Sequence, residues 1–550
     1  MQRPEAQKRP ARARGAKISM KHFRVVFKPD GREISIHQGA TLVEAASQAG
    51  IILTTPCGGK GTCGKCAVLL HPSGQRILAC QRRVDSDLAV VVPPESRFYE
   101  HKILEHGIAP GVQIHPTVYQ RYRSIAGNGR ILGVAVDIGT TTVVAKLLDM
   151  VTGRCLATQV VLNPQTRFGD DVVSRINYAQ SEEHLAELHD VIVGCINDLI
   201  DRLCRQARAG TSSIYEASIV GNTTMNHLFL RLPVEQLGRA PYRAWSVDAH
   251  DGPPGDLGIG MNPAGNVHCA ENIAGFVGAD TTAVALAVDM DSVEDRVLVV
   301  DIGTNGEIVL GTREKLYAAS CAAGPALEGA RIRYGSRAAD GAVEAVVCNE
   351  DISLDTISGS RPRSICGSGL IDAVAVLGDL GIVDATGRFT DRRGGGTSLP
   401  KPIASRILKY EGQPAFCLAW NEQTSQPDIL LTQRDIREVQ LAKAAIRAGI
   451  RILMNRLGMS DLDIDRVLLA GAFGNYIRPS SAIRIGLLPN VPLERIEPVG
   501  NAAATGAEIL LISEECRERA AKLARRIQYI EIAHETNFAD IFAGAMFLGP

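Results

Sequence analysis

Alternation of apolar and polar positions sets in at His22. The segment HFRVVFKPDGREISIHQ reads as two strands of period two, turning at Pro29-Asp30-Gly31. GATLVEAASQAGI then shifts to helical spacing. Thr41 is the predicted N-cap, and Glu44 three residues later completes a capping box. CAVLLHPSGQRILAC predicts a second hairpin around residues 71–74, and AVVVPP closes a small α+β unit over 20–93. Residues 94–130 show no periodicity and scattered Pro and Gly, so they read as a linker. From Ile131 the texture changes. ILGVAVDIGTTTVVAKLLDMVTG predicts a buried strand, a polar turn, a second strand and a turn at Thr152-Gly153. RVLVVDIGTNGEIVLGT, at 296–312, repeats the format, with Asp301 matching Asp137 at a separation of 164 residues. Duplication of an α/β lobe explains both copies and divides the remainder into 131–293 and 294–550. Helical periodicity follows each copy, at 181–208 and 433–457.

Composition narrows the classes. A chain of 550 residues exceeds one ordinary domain. With 59 basic against 60 acidic residues, its balance is not that of a general nucleic-acid or membrane-surface binder. Nothing approaches the run of about 18 apolar residues that a membrane span needs. Residues 1–19 are basic and Pro-punctuated, without the apolar core of a secretory signal. They read as a disordered tail, or as an upstream start with Met20 as an alternative initiator. The 13 cysteines are an odd count, and all but four lie singly, which suits a reducing cytoplasm better than a disulfide scaffold.

Those four carry the first chemistry. TPCGGKGTCGKC and the hairpin after it give the spacing Cys57-x5-Cys63-x2-Cys66-x13-Cys80. Four thiolates hold either a [2Fe–2S] cluster or a tetrahedral zinc. Gly58, Gly59, Gly61 and Gly64 favour the cluster, because they let a loop wrap closely and aim backbone N–H groups at sulfur. Only one pair has zinc-knuckle spacing. A dithiol redox pair would account for Cys63 and Cys66 and leave the other two idle.

The two Asp-Ile-Gly-Thr turns carry the second. A strand ending in Asp and turning through Gly presents backbone amides to a phosphate, adds Thr hydroxyls, and places a carboxylate for Mg²⁺. A tight hairpin alone explains one such turn, but two in duplicated contexts point to phosphate. VLLAGAFGNYIRP, at 467–479, adds a strand running into a bare turn on which an adenine ring can lie. In NPQTRFGDDVVSRI, Asp170 or Asp171 either orients a water or Mg²⁺, or caps a helix. Asn222, Thr223 and Thr224 follow an apolar strand, as a cleft-facing turn would. SCAAGPALEGARIRYG, with Glu328, and SICGSGLIDAV, with Gly367, read as Gly-rich turns opening helices, suited to phosphate or ribose. Cys321 and Cys366 read as buried small hydrophobes.

The N-terminal order and CGGKGTCGKC resemble a ferredoxin-like β-grasp domain, although the gap before Cys80 is shorter than in plant and adrenodoxin types. The later motifs resemble the acetate kinase/sugar kinase/Hsp70/actin superfamily. That likeness implies an α/β and α+β multidomain chain: a β-grasp domain followed by a duplicated ribonuclease-H-like, actin/Hsp70-type two-lobe ATPase. It implies phosphate contacts from Asp137, Gly139, Thr140, Thr141 and Thr142 in one lobe and from Asp301, Gly303, Thr304 and Asn305 in the other. Gly471, Ala472, Phe473 and Gly474 would face the nucleoside, and 275–287 and 500–511 would be small-residue helices at the interlobe hinge. Taken whole, the motif order resembles the reductive activators of corrinoid proteins. That resemblance implies a [2Fe–2S] cluster, ATP and Mg²⁺, and one-electron reduction of cob(II) to cob(I) in a corrinoid protein of a methyltransferase system. An upstream low-potential donor would refill the cluster, and a homodimer fits the same picture. Catalytic roles fall to Asp137, Asp301 and Asp170. Two other readings use the same motifs: a nucleotide-binding redox sensor, and a small-molecule kinase with a structural metal site.

Overall fold

Strand β1 (His22–Lys28) pairs antiparallel with β2 (Arg32–His37), burying Val25, Phe27 and Ile36. In this computed structural model residues 21–549 are described, except 30, 50, 52, 54–60, 62–65, 94–95, 97–116, 128, 170, 304, 330, 337–338, 391–398, 425–427 and 475. The capping box forms as read: Glu44 N donates to Thr41 Oγ1 (3.2 Å) and Thr41 N to Glu44 Oε2 (2.7 Å), opening the helix Leu42–Gln48. Strands β3 (Ala67–His71), β4 (Arg76–Leu78) and β5 (Leu88–Val91) complete a sheet of order β2-β1-β5-β3-β4. The parallel β1–β5 pair at its centre is the β-grasp arrangement expected.

The stretch read as linker departs from expectation. It contains a ten-residue helix, Thr117–Ala126, which buries Val118 and Tyr122 one turn apart. The Tyr122 hydroxyl donates to Glu216 Oε2 (2.7 Å), a buried carboxylate that also accepts from Arg517 (2.8 Å) and Asn266 (2.9 Å). Two buried positions are too few to register as periodicity, so only tertiary contact marks this helix.

Each lobe is built on one sheet plan. In the first, β6 (Leu132–Ile138), β7 (Thr142–Asp149) and β8 (Cys155–Leu162) form an antiparallel meander. β9 (Ile214–Gly221) joins β6 in parallel and β11 (Asn266–Cys269) joins β9, with β10 (His250–Gly252) at the edge. In the second, β12 (Val297–Ile302), β13 (Gly306–Gly311) and β14 (Leu316–Cys321) form the meander. β21 (Arg466–Ala470) and β22 (Ile496–Gly500) add in parallel. The orders β11-β9-β6-β7-β8 and β22-β21-β12-β13-β14 superimpose strand for strand, which is the duplication legible in the two Asp-Ile-Gly-Thr turns. Long helices, Glu182–Ala207 and Gln433–Leu457, cover the sheets where periodicity placed them.

Between β14 and Gln433 the second lobe carries an insertion. It holds β15 (Ala342–Cys348), β16 (Ile352–Thr356) and β17 (Ser364–Ile365) in one small sheet, and β18 (Ile407–Tyr410), β19 (Gln413–Ala419) and β20 (Ile429–Thr432) in another. The segment 320–335, expected to open a helix, makes only a single 3₁₀ turn, Pro325–Glu328. Gly329 ends it at φ +80°, where a Cβ would lie 2.2 Å from Ser336 O. Cys321 and Cys366 are buried, as read, and burial pushes both thiols up.

The lobes share a core. Helices Ala279–Ala287 and Ala502–Ile512 cross so closely that a Cβ on Gly506 would lie 2.3 Å from Ala283 O. The chain end therefore returns to the first lobe, where Lys146 pairs with the buried Glu508. The ferredoxin-type domain touches the second lobe through the His22 imidazole and the Asp355 carboxylate on β16. No helix among the described residues is long and apolar enough to cross a membrane.

Candidate functional site

The two Asp-Ile-Gly-Thr turns lie at equivalent ends of β6 and β12. Each is tight: Gly139 N donates to Thr142 O (2.9 Å), and Gly303 N to Asn305 O (2.9 Å). The first turn is braced from behind. Asn163 Nδ2 donates to Gly139 O (2.8 Å), Asn222 Nδ2 to Thr140 Oγ1 (2.9 Å), and the buried Arg175 Nη2 to Thr140 O (2.5 Å). Asn222 also caps the helix Thr223–Phe229 by accepting from Met225 N (3.0 Å), so the cleft-facing turn expected there is a helix start. Thr223 and Thr224 are buried behind it.

Between the turns lies a floor of carboxylates. Asp301 and Glu307 are register partners across β12 and β13, an arrangement of like charges that is unfavourable in itself. Burial pushes Asp301 up to about 7, with Asp280 and Asp137 adding to the rise. Burial likewise raises Asp137 to about 7, against a hydrogen bond from Asn501 Nδ2 (3.0 Å), and raises Asp280 to about 6. Glu307 is held well above the usual carboxylate range by burial and by Asp280 and Asp301. Among the described residues no salt bridge reaches these four groups, and no three acidic, His or Cys side chains meet closely enough to ligate a metal directly. A hydrated divalent cation fits this donor set, because carboxylates without a cation are costly to hold ionised in a site this dry.

The walls come from the second lobe. Glu328 Oε2 lies 3.5 Å from Thr141 Oγ1, so Glu328 faces the first phosphate turn across the cleft. Gly471 holds φ +82°, and a Cβ there would sit 2.4 Å from Asp301 Oδ1, which brings the bare turn against the carboxylate floor. Gly471–Gly474 forms a single helical turn. Gly367 opens the helix Gly367–Asp379, whose N-cap, Cys366, offers no side-chain cap. Arg478, just beyond the Gly471–Gly474 turn, pairs with Asp372 of that helix (3.3 Å), so the Gly471 turn and the Gly367 helix are brought together in the second lobe. Asp171 accepts from Ser174 N (2.7 Å) and is a helix N-cap. Asp170, Thr304, and the side chains of Ala472 and Phe473 lie outside the described residues.

In the N-terminal domain, Cys66 and Cys80 flank the same end of the β3–β4 hairpin. The pairing of Ala67 with Leu78 continues into an Ala79 N to Cys66 O hydrogen bond (3.0 Å). Gly61 (φ +76°) approaches so closely that a Cβ would lie 2.9 Å from Gln81 Cγ, and Gln81 Nε2 lies 3.7 Å from Cys80 Sγ. Cys66 is buried and Cys80 half-buried. Cys57 and Cys63 lie outside the described residues. Two cysteines at one end of a hairpin, with Gly61 close against it, fit an iron–sulfur group, and the thirteen-residue gap is the length of that hairpin.

A family model described as the C-terminal domain of RACo, the ASKHA domain, matches residues 295–550. Others, described as the RACo middle region and the 2Fe-2S iron-sulfur cluster binding domain, match 132–293 and 26–85. Corrinoid activation enzyme RamQ of Eubacterium limosum is 33% identical over 588 residues, covering 94% of this chain and 98% of its own. The chain belongs to the family of reductive activators of corrinoid proteins. A solved reductive activator for corrinoid, iron-sulfur protein matches it with a TM-score of 0.71 at 32% identity, covering 96% of this chain and 98% of that one. The [Co(II) methylated amine-specific corrinoid protein] reductase of Methanosarcina barkeri is 25% identical over 430 residues, 72% of each chain. The N-terminal unit is thus a 2Fe–2S domain, and residues 295–550 an ASKHA domain of the ATP-binding kind.

Within this activator, sequence reasoning missed Asp280, Glu307, Asn501 and Arg175. Asp280 sits in GFVGADTTAVALA, where small residues drew attention to helix packing instead. Glu307 follows DIGTNG directly and was readable as a strand position opposite Asp301. Asn501 and Arg175 carry no local signal, because their partners lie 364 and 35 residues away.

Proposed function

We propose that this chain hydrolyses Mg²⁺–ATP between its lobes and uses the resulting change of arrangement to reduce a cob(II) corrinoid protein to cob(I), one electron per cycle. The observation that carries the reading is the pairing, in one chain, of a 2Fe–2S domain with a duplicated phosphate cleft floored by carboxylates. Cys57, Cys63, Cys66 and Cys80 would hold the cluster, which supplies a low-potential electron when bound, on the order of −400 mV for the plant-type class. The amides of the Gly139 and Gly303 turns receive the phosphates, with Thr140, Thr141, Thr142, Thr304 and Asn305 as further donors. Asp137 and Asp301 would hold a hydrated Mg²⁺, which would neutralise phosphate charge when bound, and Asp280 and Glu307 would strengthen the negative field there. Glu328 and Gly367 face the ribose and phosphates, and Gly471, Ala472, Phe473 and Gly474 the nucleoside. Asp170 is the candidate to orient the attacking water.

ATP has a thermodynamic purpose here. Each 59 mV uphill costs a factor of ten for a one-electron step. Lobe closure that favours the cob(II) partner and removes an axial cobalt ligand raises the acceptor potential. The boundaries 20–93, 131–293 and 294–550 are the working units of this scheme. An upstream reductant, a homodimer and a cytoplasmic setting complete it. The test follows cob(II) loss optically with ATP, reductant and candidate corrinoid proteins. Transfer should vanish in Cys66→Ala and lose its ATP dependence in Asp301→Ala. Reduction at an equal rate without ATP would overturn the scheme.

A further inference from the structure

The carbonyls of the turn after β6 are already occupied. Four consecutive ones accept from inside the protein: Gly139 O from Asn163 Nδ2 (2.8 Å), Thr140 O from Arg175 Nη2 (2.5 Å), Thr141 O from Asn163 N (2.8 Å) and Thr142 O from Gly139 N (2.9 Å). A fifth acceptor, Thr140 Oγ1, takes a hydrogen bond from Asn222 Nδ2 (2.9 Å). The three side chains that supply these bonds are buried, Asn163 and Arg175 completely. They meet around Met225. Its sulfur lies 3.7 Å from Asn163 Nδ2 and 3.1 Å from Arg175 Nη1, and its backbone N–H donates to Asn222 Oδ1 (3.0 Å).

The orientation of each amide follows from its other half. Asn163 Oδ1 is committed to Gln165 N (2.9 Å) and Asn222 Oδ1 to Met225 N, so both amides turn an NH₂ group toward the phosphate turn. Arg175 has donors alone, and its fork spans Thr140 O and Gly169 O (3.0 Å). Each of these residues carries one backbone donor and one acceptor, so a turn whose acceptors face the protein has donors left for what lies in front of it. The Thr140 hydroxyl shows this most directly. Its oxygen accepts from Asn222, and its own proton remains to be given. A brace that only stiffened the turn would serve as well with the hydroxyl donating backward; the helix cap on Asn222 fixes the opposite sense. An ionised phosphoryl oxygen accepts hydrogen bonds and offers none, and it is the partner that this polarity selects.

We propose that Asn163, Arg175 and Asn222 are positioning residues that make the first phosphate turn a donor-only surface, with Asn222 aiming the Thr140 hydroxyl proton at a phosphoryl oxygen of the nucleotide. This rests on the reading of the cleft as a Mg²⁺–ATP site and adds to it the polarity of one wall. The test titrates the full-length protein with Mg²⁺ and adenylyl imidodiphosphate, and separately with adenosine, by calorimetry. Asn222→Ser keeps an oxygen that caps the helix but is too short to reach Thr140, and Thr140→Val removes the hydroxyl. Each should weaken analogue binding by about tenfold, the order expected for one hydrogen bond to an ionised group. The double variant should bind no more weakly than Thr140→Val alone. Asn222→Asp also keeps the cap, yet its second oxygen accepts the Thr140 proton, so it should lose about tenfold more than Asn222→Ser. Adenosine affinity should stay at the wild-type value throughout. Additive losses in the double variant would overturn the inference, as would Asn222→Asp binding no more weakly than Asn222→Ser. Equal losses for adenosine and the analogue would do the same, since the effect would then lie away from the phosphates. Wild type that binds no analogue would overturn the reading of the cleft itself, and this inference with it.

Discussion

Asp301 and Glu307 oppose each other across two strands, and what they need from a ligand can be stated as a pH dependence. Asp137, Asp280 and Asp301 hold their protons up to about 7, 6 and 7, against about 4 in an unfolded chain. Their native pKa values are raised, so the stability they contribute is complete below about pH 4 and is lost as pH rises through 6 and 7. Mg²⁺–nucleotide offsets that loss by favouring the ionised forms. The rise in Tm on adding Mg²⁺–ATP analogue should therefore be larger at pH 8 than at pH 6, and Asp301→Asn should flatten the difference. A pH-independent rise would remove these carboxylates from the metal site. Asp301→Asn should also melt higher than wild type without nucleotide while losing about 100-fold or more in ATP-dependent turnover. Gly471 makes a separate case. Its φ of +82° and the 2.4 Å approach to Asp301 leave no room for a methyl group. Gly471→Ala should cost about 1–2 kcal/mol of stability and weaken nucleotide affinity at least tenfold, measured by melting and by analogue titration. The motif made this glycine visible; the neighbour that forbids a side chain was not.

At the scale of elements, the helix pair Ala279–Ala287 and Ala502–Ile512 ties both lobes to one core. Small residues at 275–287 and 500–511 were readable as a close crossing, but ordinary packing explained them equally well until Ala283 and Gly506 met. Gly506→Ala should force the helices apart, cost about 1–3 kcal/mol, and uncouple ATP hydrolysis from partner reduction more than it lowers hydrolysis itself. Parallel assays of phosphate release and cob(II) loss check this. The helix Thr117–Ala126 was not readable, since among its described side chains only Val118 and Tyr122 are buried. Tyr122→Phe leaves Glu216, which is 0% exposed, with one donor fewer. It should cost about 1–3 kcal/mol and expose residues 117–126 to limited proteolysis.

At the scale of the molecule, the cysteine hairpin must close on itself before it can serve the lobes. Cys80→Ser should remove most of the visible absorbance and the reduced-state EPR signal while leaving the melting of the two lobes unchanged, because the N-terminal domain has a core of its own, separate from that of the lobes. Retained absorbance would take Cys80 out of the ligand set.

Chemistry that depends on neighbours in sequence was determined by the sequence itself: the cysteine spacing, the paired Asp-Ile-Gly-Thr turns, the capping box, and the strand and helix periods of both lobes. Each of these is set by backbone geometry over a few residues. Only the tertiary structure decided the rest. It brought Asp280 and Glu307 to the carboxylate floor, put Asn501 on Asp137, and folded the helix Ala502–Ile512 back onto the first lobe. Those groups meet because burial and strand pairing join segments up to 364 residues apart, and no local pattern encodes which distant side chain will fill a shared cleft.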